Sequence, residues 1–584
     1  MPARSRSIIL LVTLNVIFLV ALVVAVVLLI NIRSNTATAG QTAAPPGLPT
    51  PVLQVQGIEV TAVTPTPGPS PTPPANPFDV GGAIAVALRR NAYTNIWGLT
   101  PGKVQLTRLT AGPWDDRDPA WSPDGKRLAF ASHRSGGWDL YVLEIESGVI
   151  ARLTSDPEFE ANPAWSPDGA YLVYEGYAKE NFDIYIVSAA GGAPIRVTAN
   201  PAADFAPAWS PNGRSIVFAS LRGGGPQSDL YLYNLDDPDE TKAVTRFTDT
   251  PDIAEDEPQW SKDGQRVLYA DSASPLHLIY TKGVGAVEAT ALEVAQGHWP
   301  AWTPDGTGII TAFNQNDREY LTAAAVGAWS AAPVAIPLDG VIGAISWTAA
   351  RLPAELKGSL AEAANLADAP AWTEKITAPT GNSDTPYTFV VISDLRAPLP
   401  AFSDRVDESF SGLRFRVIAN TGWDFLQVLD NAGLNLDTPL EPGLPDESWN
   451  KAGRAFDVSQ AAVNDGWGVL VREDIGTRVY WRLWVRARQG DGTLGEPLRR
   501  TPWDFRSRFS GDPVAYDNGG SYFSEIPAGY FIDFTSLAAD YGWTRVPSFD
   551  DWKIFFPGVQ YWHYENRGGL TWVGAMRELY SEQA

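Results

Sequence analysis

The feature that most constrains this chain is a five-residue string that returns at near-constant spacing. It reads Trp121-Ser-Pro-Asp-Gly125, Trp165-Ser-Pro-Asp-Gly169, Trp209-Ser-Pro-Asn-Gly213, Trp260-Ser-Lys-Asp-Gly264 and Trp302-Thr-Pro-Asp-Gly306, with a decayed copy at Trp347-Thr348. The Trp-to-Trp spacings are 44, 44, 51, 42 and 45 residues, the period of a four-stranded propeller blade. Each string is a turn with a mechanism: Pro presets φ at the second residue, Asp bonds nearby backbone, and Gly takes the positive φ that reverses the chain. An alternating strand follows each turn (Arg127-Leu-Ala-Phe130, Tyr171-Leu-Val-Tyr174, Ser215-Ile-Val-Phe218). A second strand opens with Asp139-Leu-Tyr141, Asp183-Ile-Tyr185 or Asp229-Leu-Tyr231, and a third ends in Arg152-Leu-Thr154, Arg196-Val-Thr198 or Arg246-Phe-Thr248. Residues 82–110 hold the later strands of such a unit without its turn, whereas Trp347 has a first strand and nothing after it. Joined, they make a sixth blade that closes the ring from both ends and leaves no exposed edge.

Ahead of the repeats, Ile8–Ile32 is a run of 25 uncharged residues, where roughly 20 suffice to cross a bilayer. Arg4 and Arg6 precede the run and, after Arg33, no Lys or Arg occurs until Arg89, which predicts a short N-terminus inside and the bulk of the chain outside. We read an uncleaved signal anchor over residues 1–33, with a long secretory signal cleaved near Ala37–Ala39 as the alternative; both export the remainder. Residues 34–80 carry eleven prolines and one charged residue before Phe78, Glu59, and are expected to form a semi-rigid tether.

Composition removes several function classes. The balance of 44 Lys+Arg against 67 Asp+Glu gives a net charge of −23, which repels phosphate backbones, so nucleic acid is not an expected partner. There is no cysteine, hence no disulfide, thiolate metal site or cysteine nucleophile. Histidine is limited to His133, His277, His298 and His563, and the first three, at non-equivalent positions in different blades, are expected on the surface or in loops.

The repeated Trp-Ser-Pro-Asp-Gly and Asp-Leu-Tyr strings resemble the TolB-like six-bladed β-propellers over about residues 81–350. That resemblance implies an exported propeller that contacts proteins, and no catalysis. The repeated Trp and Asp residues are expected to pack blades and form turns, because repeat motifs mark what every blade does alike.

A helical and polar connector over 351–385 leads to a second domain, 386–584, rich enough in Trp for its own core. Two catalytic readings fail on the residues. The string Gly519-Gly520-Ser521-Tyr522-Phe523 lacks the closing Gly of a serine-hydrolase elbow, and Ser448-Trp449-Asn450-Lys451 satisfies Ser-x-x-Lys with no Lys-Thr-Gly to accompany it. A third is more specific. Ser448-Trp-Asn-Lys-Ala-Gly-Arg-Ala-Phe-Asp457 resembles the Ser-x-His-x-x-Gly-x-Ala-x-Asp motif of zinc D-alanyl-D-alanine carboxypeptidases, of the hedgehog/DD-peptidase fold, and Gln560-Tyr-Trp-His563 resembles that family's Glu-x-Trp-His.

In that family the motif His, the Asp and the final His bind zinc, and the Glu is the general base. Here Asp457 and His563 are retained, but Asn450 stands at the first ligand and Gln560 at the base. Asn offers a neutral amide oxygen where zinc prefers imidazole nitrogen, and Gln takes no proton from water. The resemblance therefore implies a pseudo-peptidase with the degenerate set Asn450, Asp457 and His563, no cofactor, and a ligand cleft that includes Ser448 and Trp562. By charge alone, Arg414 and Arg416 are candidates to hold a peptide carboxylate. A packed remnant without ligand, and an active cell-wall peptidase with an altered zinc site, stay open. The chain is thus expected to be multidomain: a transmembrane helix, an all-β six-bladed propeller and an α+β domain of hedgehog/DD-peptidase type. Its expected setting is a single-pass cell-membrane protein with its bulk extracytoplasmic, and its expected partners are the membrane, a protein on the propeller and cell-wall peptides.

Overall fold

The computed structural model describes residues 76–581 apart from 91, 104, 157, 274–276, 286–289, 316–317, 328–332, 369, 377–384 and 441. The apolar run Ile8–Ile32 and most of the Pro-rich segment lie outside them; among the described residues, no helix is long and apolar enough to cross a membrane.

Six four-stranded antiparallel sheets follow one another along residues 83–348. In five of them the strands run in sequence order. In the sixth the order is Val341–Thr348, Ala83–Arg90, Tyr93–Leu99, Leu106–Arg108, so the last strand of the propeller pairs with the first. Their register runs from Ala83↔Thr348 to Arg89↔Val341. Ile84, Val86 and Leu88 in the joining strand are fully buried, against Trp97, Ile342 and Trp347.

The turn string does what its residues dictate. Asp124 Oδ1 accepts from Ser122 Oγ at 2.7 Å and from Lys126 N at 3.1 Å, Ser122 Oγ accepts from Arg127 N at 2.9 Å, and Gly125 sits at φ 68°. The Trp holds neighbouring blades together: the indole N–H of Trp165 donates to Ala120 O (2.9 Å), that of Trp260 to Ala208 O (3.2 Å) and that of Trp302 to Gln259 O (3.3 Å). The repeated Asp of the second strand pairs with the Arg of the third, as Asp139–Arg152 (2.8 Å), Asp183–Arg196 (2.7 Å) and Asp229–Arg246 (2.7 Å). The repeated Thr accepts from a second-strand N–H, and Thr110 does so from Ile96 N at 3.0 Å, which marks 83–108 as the same unit.

One regularity has no fixed residue type. The innermost strands bulge three residues before the Trp, at Asp118 (φ 53°), Asn162 (φ 50°), Ala206 (φ 49°), Glu257 (φ 56°) and Trp299 (φ 55°), each followed by a Pro. Pro lacks the N–H that the interrupted ladder would otherwise need, and the extra residue turns toward the propeller axis.

His133 and His277 lie outside the strands, as the loop expectation had it, and His298 opens the strand His298–Trp302; all three are partly buried and packed, which corrects the surface expectation. His133 Nε2 lies 2.9 Å from Thr493 O of the C-terminal region, and the His277 and His298 rings meet across two adjacent blades with centroids 3.7 Å apart. Burial lowers both pKa values, to about 4 for His277 and about 3 for His298, so each is neutral at physiological pH.

Of the helical stretch expected after Trp347, Gly358–Asn365 is helix. Beyond it, the C-terminal region is α+β. A sheet of order Leu429–Asn431, Ala455–Val458, His563–Glu565, Thr544–Arg545 and a second of order Gly468–Ile475, Arg478–Arg486, Phe531–Asp533 enclose a core with the helix Asp407–Thr421. Phe402, Phe410, Phe456, Phe534, Trp543 and Tyr564 fill that core, most pairs edge to face. This region rests on the propeller: Trp138, Phe159 and Tyr177 share a hydrophobic cluster with Ala487 and Tyr530, flanked by the pairs Arg89–Asp540 (2.7 Å), Arg416–Asp115 (3.1 Å), Arg117–Glu496 and Arg499–Glu175.

Removing residues 1–110 deletes three strands of the joined blade and bares the edge of Val341–Thr348. Full burial of each Ile, Val or Leu side chain is worth about 1.5–3 kcal/mol, so losing three from the joining strand alone takes much of the ~5–15 kcal/mol that holds a domain folded. The truncated chain is expected to melt at lower temperature and with a broader transition by circular dichroism; an unchanged midpoint and sharpness would refute the closure by these strands.

Candidate functional site

Two segments more than a hundred residues apart meet on adjacent strands. Ala455–Val458 pairs with His563–Glu565 so that Asp457 lies directly opposite His563. Backbone register, not side-chain choice, therefore sets the contact: His563 Nδ1 is 2.6 Å from Asp457 Oδ1. The other ring nitrogen, Nε2, is 3.2 Å from Glu565 Oε1, and Arg567 Nε donates to Glu565 Oε2 at 2.6 Å. Asn431 Nδ2 donates to Asp457 Oδ2 at 2.7 Å.

With a carboxylate at each nitrogen, both ring nitrogens serve as donors and the ring is an imidazolium. Burial by itself lowers the His563 pKa, but the Asp457 charge and hydrogen bond, helped by Glu565, win and raise it to about 10. The same contacts, with Arg567, outweigh burial at Glu565 and hold its carboxyl below the usual range.

The preceding motif is shaped by its small residues. Gly453 sits at φ 63°, and a Cβ there would lie 2.6 Å from Ser403 N and 2.7 Å from the Phe389 ring, so no other residue fits. Arg454 is buried on Glu578 (2.7 Å), and Ala455 packs with Trp449. These contacts set Asn450, which is 4% exposed and donates through Nδ2 to Ala432 O at 2.9 Å. Gln560 ends the 3-10 turn Phe556–Val559 in the left-handed region at φ 59°, and its Nε2 donates to Pro557 O at 2.6 Å. Trp562 packs on Phe556 and Tyr561 while its carbonyl accepts from Val458 N at 2.9 Å.

Ser448, Asn450, Asp457, Gln560, Trp562 and His563 all line one cleft of 740 Å³, within the usual range of small-ligand pockets. Asp430, Glu447, Asp550, Arg478, Glu565 and Arg567 line it as well. Glu565 was missed in the sequence although alternation places it on the same strand face as His563, two residues on.

The two arginines proposed to hold a carboxylate are elsewhere. Arg414 forms a bidentate pair with Asp424 (2.6 and 3.0 Å), and Arg416 pairs with Asp115 of the propeller and stacks over Tyr93 at 4.1 Å. Both lie on the helix Asp407–Thr421, their charges are used there, and neither lines the cleft. Ser521 is in a short strand paired with Trp503–Asp504 and does not line it either.

The donor chemistry does not fit zinc. His563 is the sole histidine of residues 386–584 and both its nitrogens face carboxylates. The amide of Asn450 is tied to Ala432, and an amide oxygen is a poor ligand for this cation. Among the described residues, the one group of three His, Asp or Glu ligand atoms within 4.8 Å of one another is Glu374, Asp407 and Glu408, none of which lines the cleft. Gln560 has no proton affinity to act as base. What the arrangement offers is a polar cleft with a fixed cation and fixed carboxylates.

Because the folded pKa of His563 lies above its unfolded value of 6.5, its ion pairs stabilise the fold fully below about pH 6.5 and lose that contribution as pH rises through about 10. The stability difference between the protein and its His563→Gln variant, measured by urea unfolding, is expected to be largest near neutral pH and to shrink toward pH 10; a difference that grows with pH would show that the ring is neutral.

The family described as TolB beta propeller domain (PD40) matches residues 50–176 and 140–350, together just over half of the chain. Among solved structures, TolB from Acinetobacter baumannii is 19% identical with a TM-score of 0.40, the match covering 46% of this chain and 66% of that one. A putative TolB from Agrobacterium tumefaciens is 20% identical with a TM-score of 0.35, over 44% of this chain and 90% of that one. No curated protein matches the sequence. The extent of the family match, together with six four-stranded sheets carrying its repeats, places this chain in the TolB β-propeller family.

Proposed function

We propose that this protein is a membrane-anchored extracytoplasmic scaffold: the propeller contacts protein partners, and the C-terminal cleft binds cell-wall peptides without cutting them. The observation that carries the second half is the convergence of Ser448, Asn450, Asp457, Gln560, Trp562 and His563 on one 740 Å³ cleft. A merely packed remnant has no need to keep such a volume open. Non-catalytic binding follows from the residues at the two chemical positions, since Gln560 accepts no proton and Asn450 supplies no imidazole. For recognition, the guanidinium group of Arg478 suits a peptide carboxylate, while Trp449 and Trp562 border the cleft with apolar surface. The anchor is supported by the 25 uncharged residues Ile8–Ile32 and by the charge asymmetry around them.

Titration calorimetry of the protein with a stem peptide ending in D-Ala-D-Ala tests this. Saturable binding is expected, weakened at least about tenfold, or 1.4 kcal/mol, by Arg478→Ala, with no D-alanine released. Release of D-alanine that Gln560→Ala abolishes would establish a peptidase instead, and absence of binding would reduce the cleft to a remnant of packing.

A further inference from the structure

The bulged residues of the innermost strands ring the propeller axis, and four carboxylates gather around that ring. Asp118 and Glu257 are bulge residues themselves, Asp256 precedes Glu257, and Glu175 stands on the strand Tyr171–Ala178. Glu175 is fully buried, and its Oε2 accepts from Asn162 Nδ2 at 3.0 Å and from the Ala206 N–H at 2.8 Å, both on the ring. Its position is therefore set by the propeller. A cation of the propeller, Arg117, faces this group; its Nε lies 3.3 Å from Asp118 Oδ2 and its Nη1 is engaged by Glu496 of the C-terminal region.

The remaining countercharge is brought by the C-terminal region. Arg499 donates through Nη2 to the other oxygen of Glu175, Oε1, and its guanidinium carbon lies 6.0 Å from the centroid of the Phe182 ring. Burial pushes Asp118, Asp256 and Glu257 up, and Arg499 opposes that at all three, joined by Arg500 at Asp256 and Glu257. One side chain thus answers carboxylates from three blades.

We propose that the axial ring is a guanidinium-binding site, formed by Asp118, Glu175, Asp256 and Glu257 and occupied in cis by Arg499. The occupant keys the C-terminal region onto the propeller and closes that end of the axis to arginine-bearing partners. A planar fork suits the position better than a point charge, because the Glu175 carboxylate it meets at Oε1 is fixed in direction by the ring through Oε2.

Chemical rescue in the full chain tests the assignment. Arg499→Gly is expected to melt below the unmodified protein, and ethylguanidinium is expected to restore it saturably, by about 2–4 °C at tenfold excess over its Kd. Ethylammonium and sodium chloride at the same ionic strength are expected to do little, and the unmodified protein is expected not to respond. Equal effects of ethylguanidinium and ethylammonium on Arg499→Gly would overturn the proposal. Should Arg499→Gly be recovered unfolded, ethylguanidinium present during refolding is expected to return folded protein, and failure to do so overturns it equally. Arg499→Lys keeps the charge without the fork and is expected to melt below the unmodified protein; equal melting would show that any cation suffices.

Discussion

The pairing of Val341–Thr348 with Ala83–Arg90 is the contact on which the rest depends. Each blade buries its apolar faces against its neighbours, so an unclosed ring leaves two faces and a sheet edge in water. Closure also fixes the axis. The bulges at Asp118, Asn162, Ala206, Glu257 and Trp299 form a ring only because the blades that carry them are held at fixed angles by closure and by the Trp–carbonyl bonds between neighbours. On that ring the C-terminal region finds its seat, through Arg499 at the axis and the Trp138, Phe159 and Tyr177 cluster toward the side.

The cleft obeys the same logic at smaller scale. Asp457 and His563 touch because two short strands are paired in one register; a slip of one residue would send both side chains to the opposite face. Once they touch, the electrostatics follow. A buried imidazole between two carboxylates takes a proton, and a protonated ring has no lone pair for a metal. The neutral amides of Asn450 and Gln560 then belong with a site whose charges neutralise one another, rather than with one poised to activate water.

Much of this was legible in the sequence wherever residue type carries the geometry. Trp-Ser-Pro-Asp-Gly names a turn, Asp-Leu-Tyr and Arg-Leu-Thr name successive strands though not the ion pairs that join them, and the motif spacing from Ser448 to Asp457 and from Gln560 to His563 brought the cleft residues together. Where geometry is indifferent to residue type, reading stopped. The bulge positions are Asp, Asn, Ala, Glu and Trp, so nothing but the following Pro marks them. Long-range pairing was equally opaque: Arg416 meets Asp115 across 301 positions, and no local pattern announces that its charge is already used. The rings of His277 and His298 meet because two blades abut, a contact that neither segment encodes alone.

The protonation of His563 tests the central claim most directly, and the chain suits the measurement because it has four histidines. In the protein labelled with nitrogen-15 at histidine, NMR at neutral pH is expected to show one imidazolium with both nitrogens protonated, unchanged by added zinc. The half-buried rings of His277 and His298 are expected to appear neutral in the same spectrum. A His563 ring with one bare nitrogen that shifts on stoichiometric zinc would contradict the account and restore the reading of a metal centre.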